Sequence, residues 1–101
     1  MFHVVRRDAL EYLTADALAG SVHCFSTRFG GVSEDVLASL NLGTHRGDSP
    51  ENVRKNYEIL GSAVGFLPEQ TVFTRQQHTA IVAPATRADC GTGLLRERED
   101  V

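Results

Sequence analysis

Cysteine is scarce in this sequence, which has only Cys24 and Cys90 among its 101 residues. Two cysteines are too few for a disulfide scaffold, and two reduced thiols in a cytosolic protein are a simpler interpretation than one bridge between them. No apolar stretch approaches the roughly 18 residues that a membrane helix needs. The N-terminus also lacks the basic and apolar regions of a signal peptide. These absences predict a cytoplasmic protein with no membrane partner.

Excess positive charge is absent as well. The formal net charge is -3 at pH 7, and no basic cluster exceeds the VVRR and VRK stretches. We therefore expect no nucleic-acid partner. The apolar fraction of 42% and the charged fraction of 23% are typical of a globular protein. A chain of 101 residues fits one small domain or part of a larger one.

Short catalytic motifs are also missing. The sequence has no Cys-x-x-Cys or His-Glu-x-x-His pattern, no Gly-x-Ser-x-Gly elbow and no Walker loop. Its four histidines, at positions 3, 23, 45 and 78, are not clustered as a copper oxidase would need. Cys90 is a tempting metal partner for His78, but the glycines that follow Cys90 favour a turn.

Several short segments have the composition of strands. Residues 2–6 and 10–14 are rich in β-branched and aromatic side chains, which favours a hairpin over an amphipathic helix capped by Asp8. Residues 21–27 predict a buried strand that places Val22, Cys24 and Ser26 on one side. Residues 71–84 predict one or two further strands, and a glycine-containing turn follows them.

The clearest element is a helix that begins near Pro50. Ser49 can cap it, Pro50 suits its first position, and the charge of Glu51 suits the helix dipole. Gly61 or Gly65 can end it. An apolar stripe at helical spacing is formed by Val53, Tyr57, Leu60 and Val64. The order of strands, loop, helix and strands predicts an α+β fold in which the helix covers one sheet face.

Residues 28–50 form a long glycine-containing loop that ends at the first residue of this helix. Compact domains rarely keep such a loop unless it carries function. Arg28 begins the loop, and the pair Gly30 and Gly31 starts two positions after it. A guanidinium beside exposed backbone N–H groups suits a phosphate or a carboxylate, and glycines let the backbone approach a ligand. These residues alone favour the alternative, an ordinary surface turn with a solvated arginine.

Three polar residues, Asn41, His45 and Asp48, lie later in the same loop, just before the predicted helix. A helix N-terminus presents backbone N–H groups that can bind an anion. The residue types favour the alternative that Asn41 and Asp48 satisfy backbone groups of the loop.

An ordered series of four motifs resembles the laccase-domain family. The motifs are STR-x-GG-x-S from Ser26, SLNLG-x-H-x-GD from Ser39, P-x-x-V-x-x-N from Pro50 and Q-x-H from Gln76. They lie within residues 22–82 and are much more specific together than singly. Members of this family were first described as multicopper polyphenol oxidases. They are now associated with purine nucleoside phosphorolysis and adenosine deamination, and in bacteria with peptidoglycan editing.

The resemblance implies roles for individual residues. His78 matches a zinc ligand of the family, and Arg28 and Asn41 match residues that line the same cleft, which makes both candidate catalytic residues. With the loop residues above, the predicted substrate-binding set is Arg28, Gly30, Gly31, His45 and Asp48.

The resemblance is also incomplete. Family members continue through an ADC strand and a HAGW motif, which supply a cysteine and a second histidine to the zinc, and neither motif follows here before Val101. Cys90 comes too soon after His78 to be that cysteine. We therefore expect residues 1–101 to be the N-terminal portion of a single laccase-type domain. The other zinc ligands are expected beyond Val101, and the chain by itself is expected to be inactive.

The leading prediction is the N-terminal part of a zinc-dependent purine nucleoside phosphorylase that acts on a purine nucleoside and phosphate, with adenosine deamination as an associated activity. The alternatives are a short non-catalytic relative that binds a ligand or partner and, least favoured, a copper-dependent polyphenol oxidase. The implied fold is part of an α/β/β/α layered domain, with a mixed sheet and covering helices. Open sheet edges would allow self-association.

Overall fold

The structure is a computed structural model that describes residues 1–44, 46–73, 80, 82, 84–91 and 94. The chain divides into two units, Met1–Phe66 and Leu67–Val101. In the first unit, the strands are β1 (Phe2–Arg7), β2 (Leu10–Ala15) and β3 (Phe25–Ser26), and the α-helix is α1 (Pro50–Val64). The three strands form one antiparallel sheet in the order β1-β2-β3.

The N-terminal hairpin confirms the strands predicted for residues 2–6 and 10–14. β1 pairs with β2 over their whole length, from Phe2 opposite Ala15 to Arg7 opposite Leu10. Asp8 makes the tight turn between them with a left-handed φ of 54°, which aspartate tolerates better than most residues.

The buried strand predicted for residues 21–27 is wrong in both length and burial. Only Phe25 and Ser26 pair with β2, and Val22 is 69% exposed. The imidazole Nε2 of His23 instead accepts a hydrogen bond from the backbone N–H of Ala15 at 2.9 Å, and its Nδ1 lies 2.9 Å from the carbonyl oxygen of Ser21. The His23 side chain thus accepts the Ala15 N–H, which would have paired with the backbone of a longer β3.

The predicted helix is confirmed as α1. The Ser49 hydroxyl accepts the N–H of Asn52 at 3.1 Å, which satisfies one of the unpaired donors of the first turn. Pro50 occupies the first turn, where its missing N–H has no consequence. Gly65 ends the helix with a φ of 110° and donates its N–H to Gly61.

A small apolar core joins the helix to the sheet. It consists of Leu10 and Tyr12 from β2, Leu40 from the long loop and Leu60 from α1. Leu10 and Tyr12 are two residues apart and therefore share one face of the strand. The prediction that the helix covers one sheet face is confirmed within this unit.

The other face of the sheet is apolar but uncovered among the described residues. We call Phe2, Val4, Leu13 and Phe25 the open face, because the register places Val4, Leu13 and Phe25 side by side. Phe2 is 64% exposed, Val4 50% and Phe25 49%. The rings of Phe2 and Phe25 meet edge to face, with their centroids 5.9 Å apart.

In the second unit, the described residues form two single-turn 3-10 helices, Pro68–Gln70 and Arg87–Asp89. The predicted glycine-containing turn is present at Cys90 and Gly91, where Gly91 donates its N–H to Thr71 at 2.7 Å. Most of the strand segment predicted at residues 71–84 lies outside the described residues, and residues 71–73 are not in a strand. None of the described helices has the length and apolar character of a membrane span.

Candidate functional site

Two segments of the long loop lie side by side and carry the predicted catalytic residues. We call residues 28–33 the arginine loop and residues 38–44 the asparagine loop. The carbonyl oxygen of Arg28 accepts the N–H groups of Ser39 at 2.7 Å and Leu40 at 2.9 Å. Ser33 donates its N–H to the carbonyl of Ser39 at 2.9 Å. Backbone hydrogen bonds therefore hold the two loops together without a regular sheet.

The Arg28 side chain is exposed and is fixed at one point. Its Nε donates to the carbonyl oxygen of Ala38 at 3.1 Å. Its two terminal nitrogens have no hydrogen bond or ion pair to the residues that the structure describes. The outer side of this planar group can therefore bind an anion through two parallel N–H bonds, as guanidinium groups bind phosphate or carboxylate.

The N–H groups of Gly30 and Gly31 are used within the chain. Both donate to the hydroxyl of Ser39, at 2.9 and 3.2 Å, and that hydroxyl lies 3.2 Å from the Arg28 carbonyl oxygen, to which it donates. A Cβ at Gly31 would overlap the Ser39 carbonyl and the Asn56 side chain. The glycines thus let the two loops approach each other, and their predicted contact with substrate remains a prediction.

Asn56 of α1 lies where the two loops meet, with none of its surface exposed. Its Oδ1 accepts the N–H of Val32 at 2.8 Å. Its Nδ2 donates to the carbonyl oxygen of Asn41 at 2.7 Å and to the hydroxyl of Ser33 at 2.9 Å. Sequence reasoning did not select Asn56, although a polar residue on the apolar face between Val53 and Leu60 was a usable signal.

Asp48 collects four hydrogen bonds at the start of the helix. Its Oδ2 accepts from the Ser33 hydroxyl at 2.5 Å and from Asn41 Nδ2 at 3.3 Å. Its Oδ1 accepts from the Ser49 N–H at 2.9 Å and from Asn52 Nδ2 at 3.1 Å. These bonds, led by that from Ser33, lower the pKa of Asp48 despite an opposing effect of desolvation. The ionised carboxylate joins the loop to the helix.

Asn41 is brought into contact with Asp48, but its side chain is already engaged. Its Oδ1 accepts the N–H of Gly43 at 3.1 Å, and its Nδ2 donates to the Gly43 carbonyl at 3.2 Å as well as to Asp48. Both amide protons are therefore in use, which fits the alternative that Asn41 and Asp48 satisfy groups of the loop. One lone pair of Oδ1 is left for a ligand, and the catalytic role of Asn41 stays a prediction.

Tyr57 fixes the far end of the asparagine loop. Its hydroxyl donates to the carbonyl oxygen of Leu42 at 2.5 Å. Burial raises the pKa of Tyr57 to about 12, so the hydroxyl keeps its proton at neutral pH and remains a donor.

The predicted metal and histidine sites cannot be placed, because His45 and His78 lie outside the described residues. The part of the chain that the structure describes has no group of three or more His, Cys, Asp or Glu side chains that could hold a metal ion. Cys90, which the sequence argument rejected as a ligand, directs its Sγ at the carbonyl oxygen of Gln70, 3.7 Å away. The described residues alone do not fit a zinc ion.

The sequence matches one protein family and is similar to several curated proteins. Residues 22–100 match the family described as multi-copper polyphenol oxidoreductase laccase. A purine nucleoside phosphorylase of Corynebacterium glutamicum is 43% identical over 58 residues, which are 57% of this chain and 24% of that protein. The purine nucleoside phosphorylase YfiH of Escherichia coli is 48% identical over 59 residues, which are 58% of this chain and 24% of that protein.

A third relative extends over more of the chain. The purine nucleoside phosphorylase YlmD of Geobacillus stearothermophilus is 37% identical over 79 residues, which are 78% of this chain and 29% of that protein. The matched segments thus span between 24% and 29% of the length of these three relatives. No solved structure matches the chain.

Proposed function

Because this chain belongs to the multi-copper polyphenol oxidoreductase laccase family, we propose that it forms the N-terminal part of a purine nucleoside phosphorylase. The family match confirms the resemblance that the four sequence motifs indicated. Support for phosphorolysis comes from the three relatives above, each of which carries the name purine nucleoside phosphorylase. The same names favour phosphorolysis over phenol oxidation.

The way the Arg28 side chain is held is the observation that supports phosphorolysis most directly. In phosphorolysis a phosphate oxygen attacks C1′ of the ribose, the bond from C1′ to the purine breaks, and its electron pair leaves with the base, which takes up a proton. Arg28 is held through Nε, and its terminal nitrogens are unpaired among the described residues. It would bind two of the four phosphate oxygens and orient another toward C1′.

The other predicted residues have narrower roles in this proposal. Asn41 would accept one hydrogen bond from the nucleoside through its remaining Oδ1 lone pair. Gly30, Gly31 and Asp48 would shape the cleft through the bonds that join the two loops. His45 stays in the proposed substrate-binding set on the resemblance alone.

Zinc remains the proposed metal of the complete protein, with His78 as one ligand. A bound zinc ion polarises a substrate group or activates a water molecule. Because the described residues do not fit a metal site, we assign no step of the reaction to it. Adenosine deamination, the α/β/β/α layered domain, a cytoplasmic location and self-association belong to the same proposal and rest on the sequence argument.

The test is phosphate-dependent release of free purine from inosine or adenosine by the protein as its native source makes it. We expect Arg28→Ala to raise the KM for phosphate by roughly 10- to 100-fold, the equivalent of one lost charge-assisted contact. Arg54→Ala is the matched control, because Arg54 is also exposed but lies on α1 outside both loops. It should leave the KM unchanged.

Three results would contradict parts of this proposal. An unchanged phosphate KM in Arg28→Ala would remove the role of Arg28. Failure of the wild-type protein to release purine in the presence of phosphate would remove the enzyme assignment and favour the non-catalytic relative. Copper-dependent oxidation of a phenol without phosphorolysis would favour the oxidase instead.

A further inference from the structure

We propose that Asn56 is a positioning residue that holds the arginine and asparagine loops at one fixed separation, so that Arg28 and Asn41 can act on the same substrate. The catalytic consequence of this inference rests on the proposed function. The structural consequence does not, since it concerns only how the two loops are held.

The hydrogen bonds of Asn56 reach both loops from a single buried side chain. Oδ1 accepts the N–H of Val32 at 2.8 Å in the arginine loop, whereas Nδ2 donates to the carbonyl of Asn41 at 2.7 Å in the asparagine loop. One loop offers a donor and the other an acceptor. A primary amide supplies both complementary groups on one short side chain.

The helix makes this link rigid. α1 is capped at its start by Ser49 and ended by Gly65, so Asn56 projects from the middle of a well-terminated helix. Ser33 strengthens the link, because its hydroxyl accepts from Asn56 Nδ2 and donates to Asp48 Oδ2. The loops are thereby attached to α1 at its first turn and again near its middle.

The residues held in this way are close to the predicted catalytic groups. Val32 is four positions after Arg28 in the same loop, and the carbonyl that Asn56 binds belongs to Asn41 itself. Asn56 is fully buried, so it touches no substrate. A displacement of about 1 Å in a reacting group can lower the rate by about 10²-fold, and loss of Asn56 would allow such a displacement.

Asn56→Asp is the most informative variant because it keeps the size and one acceptor of the side chain but removes the amide group that donates to the Asn41 carbonyl and to the Ser33 hydroxyl. We expect it to lower kcat/KM for phosphorolysis by roughly 10- to 100-fold, through a misplacement of this order. The control is Leu60→Ala, one turn further along α1, which removes core contacts but none of the bonds to the two loops. Leu60→Ala should lower thermal stability and leave kcat and the phosphate KM of the folded protein unchanged.

Amide hydrogen exchange provides a readout that does not depend on activity. Peptides that cover residues 28–36 should exchange slowly in the wild-type protein, although the only regular structure there is the start of the 3-10 helix Asp35–Leu37. In Asn56→Asp, exchange at Ser33 and in the asparagine loop should accelerate by about tenfold or more, because both hydrogen bonds donated by Nδ2 are lost. In Leu60→Ala, these segments should not accelerate more than the rest of the first unit.

The outcomes separate this inference from the proposed function. Slow exchange that depends on Asn56, in a protein without phosphorolysis, would support the structural link and reject the enzyme. An active wild-type protein whose Asn56→Asp variant behaves like Leu60→Ala would overturn the positioning role. Wild-type exchange over residues 28–36 as fast as in the unfolded chain would overturn it without any variant.

Discussion

Asn56 and the open face of the sheet differ in which kind of side chain is buried. At Asn56 a polar side chain is buried, whereas on the open face apolar side chains are exposed. Asn56 has no exposed surface, whereas Phe2 and Val4 are 64% and 50% exposed. The polar side chain is buried because three groups of the two loops match its hydrogen-bonding capacity. The apolar side chains stay exposed because α1 covers only the other face. At these two places, burial follows the partners that the fold provides rather than the polarity of the residue.

The largest effect is expected where the backbone of the arginine loop is packed against Asn56. A methyl group at Gly31 would overlap the Ser39 carbonyl and the Asn56 side chain, so Gly31→Ala should lower the free energy of unfolding by roughly 1–3 kcal/mol. Gly20→Ala is the matched control, since a Cβ there meets nothing within 4 Å, and its effect should be neutral or slightly stabilising. Urea denaturation followed by circular dichroism measures both, and equal effects of the two substitutions would show that the close packing of Gly31 against Ser39 and Asn56 does not contribute to stability.

A smaller effect should appear in the acid dependence of stability. The hydrogen bonds to Asp48 lower its pKa in the folded protein below the ordinary value of 3.8. Its contribution is therefore present at neutral pH and is lost as the pH falls through the folded-state pKa. The difference in unfolding free energy between pH 7 and acid should be smaller in Asp48→Asn than in the wild-type protein. Ser33→Ala should also reduce this difference, because the Ser33 hydroxyl makes the largest contribution to lowering the pKa of Asp48. Parallel pH profiles would contradict this role of Asp48.

The smallest effect is expected on the open face. Val4→Thr should change the free energy of unfolding by less than about 0.5 kcal/mol, because the new hydroxyl can reach water. The same substitution at Val53, which is only 3% exposed on α1, should cost roughly 1–3 kcal/mol. A loss at Val4 as large as that at Val53 would show that the open face is covered in solution.

The sequence predicted the elements whose signals are local. The helix was evident from Ser49, Pro50 and the apolar spacing after them, and the hairpin from the composition of β1 and β2. The strand at residues 21–27 was overestimated because no local pattern reveals that the His23 imidazole binds the Ala15 N–H.

The candidate site was predictable only as a set of motifs. The motifs identified the family and selected Arg28, Asn41 and Asp48, yet they did not show that Asn41 and Asp48 bind each other. Asn56 lay within a recognised motif, but its role depends on Val32, 24 positions away along the chain. Pairings over such distances depend on the folded loop and cannot be inferred from spacing alone.

The Ser33 hydroxyl links Asn56 to Asp48, and this link fixes the direction of each hydrogen bond between them. The ionised Asp48 carboxylate can only accept and the Val32 N–H can only donate, so at neutral pH the amide of Asn56 has one permitted orientation and the hydroxyl of Ser33 one permitted rotamer. In ice, each water molecule can exchange donor and acceptor roles with its neighbours, which leaves a residual entropy. Here the end groups fix the direction of every bond between them, and this part of the protein has a single proton arrangement.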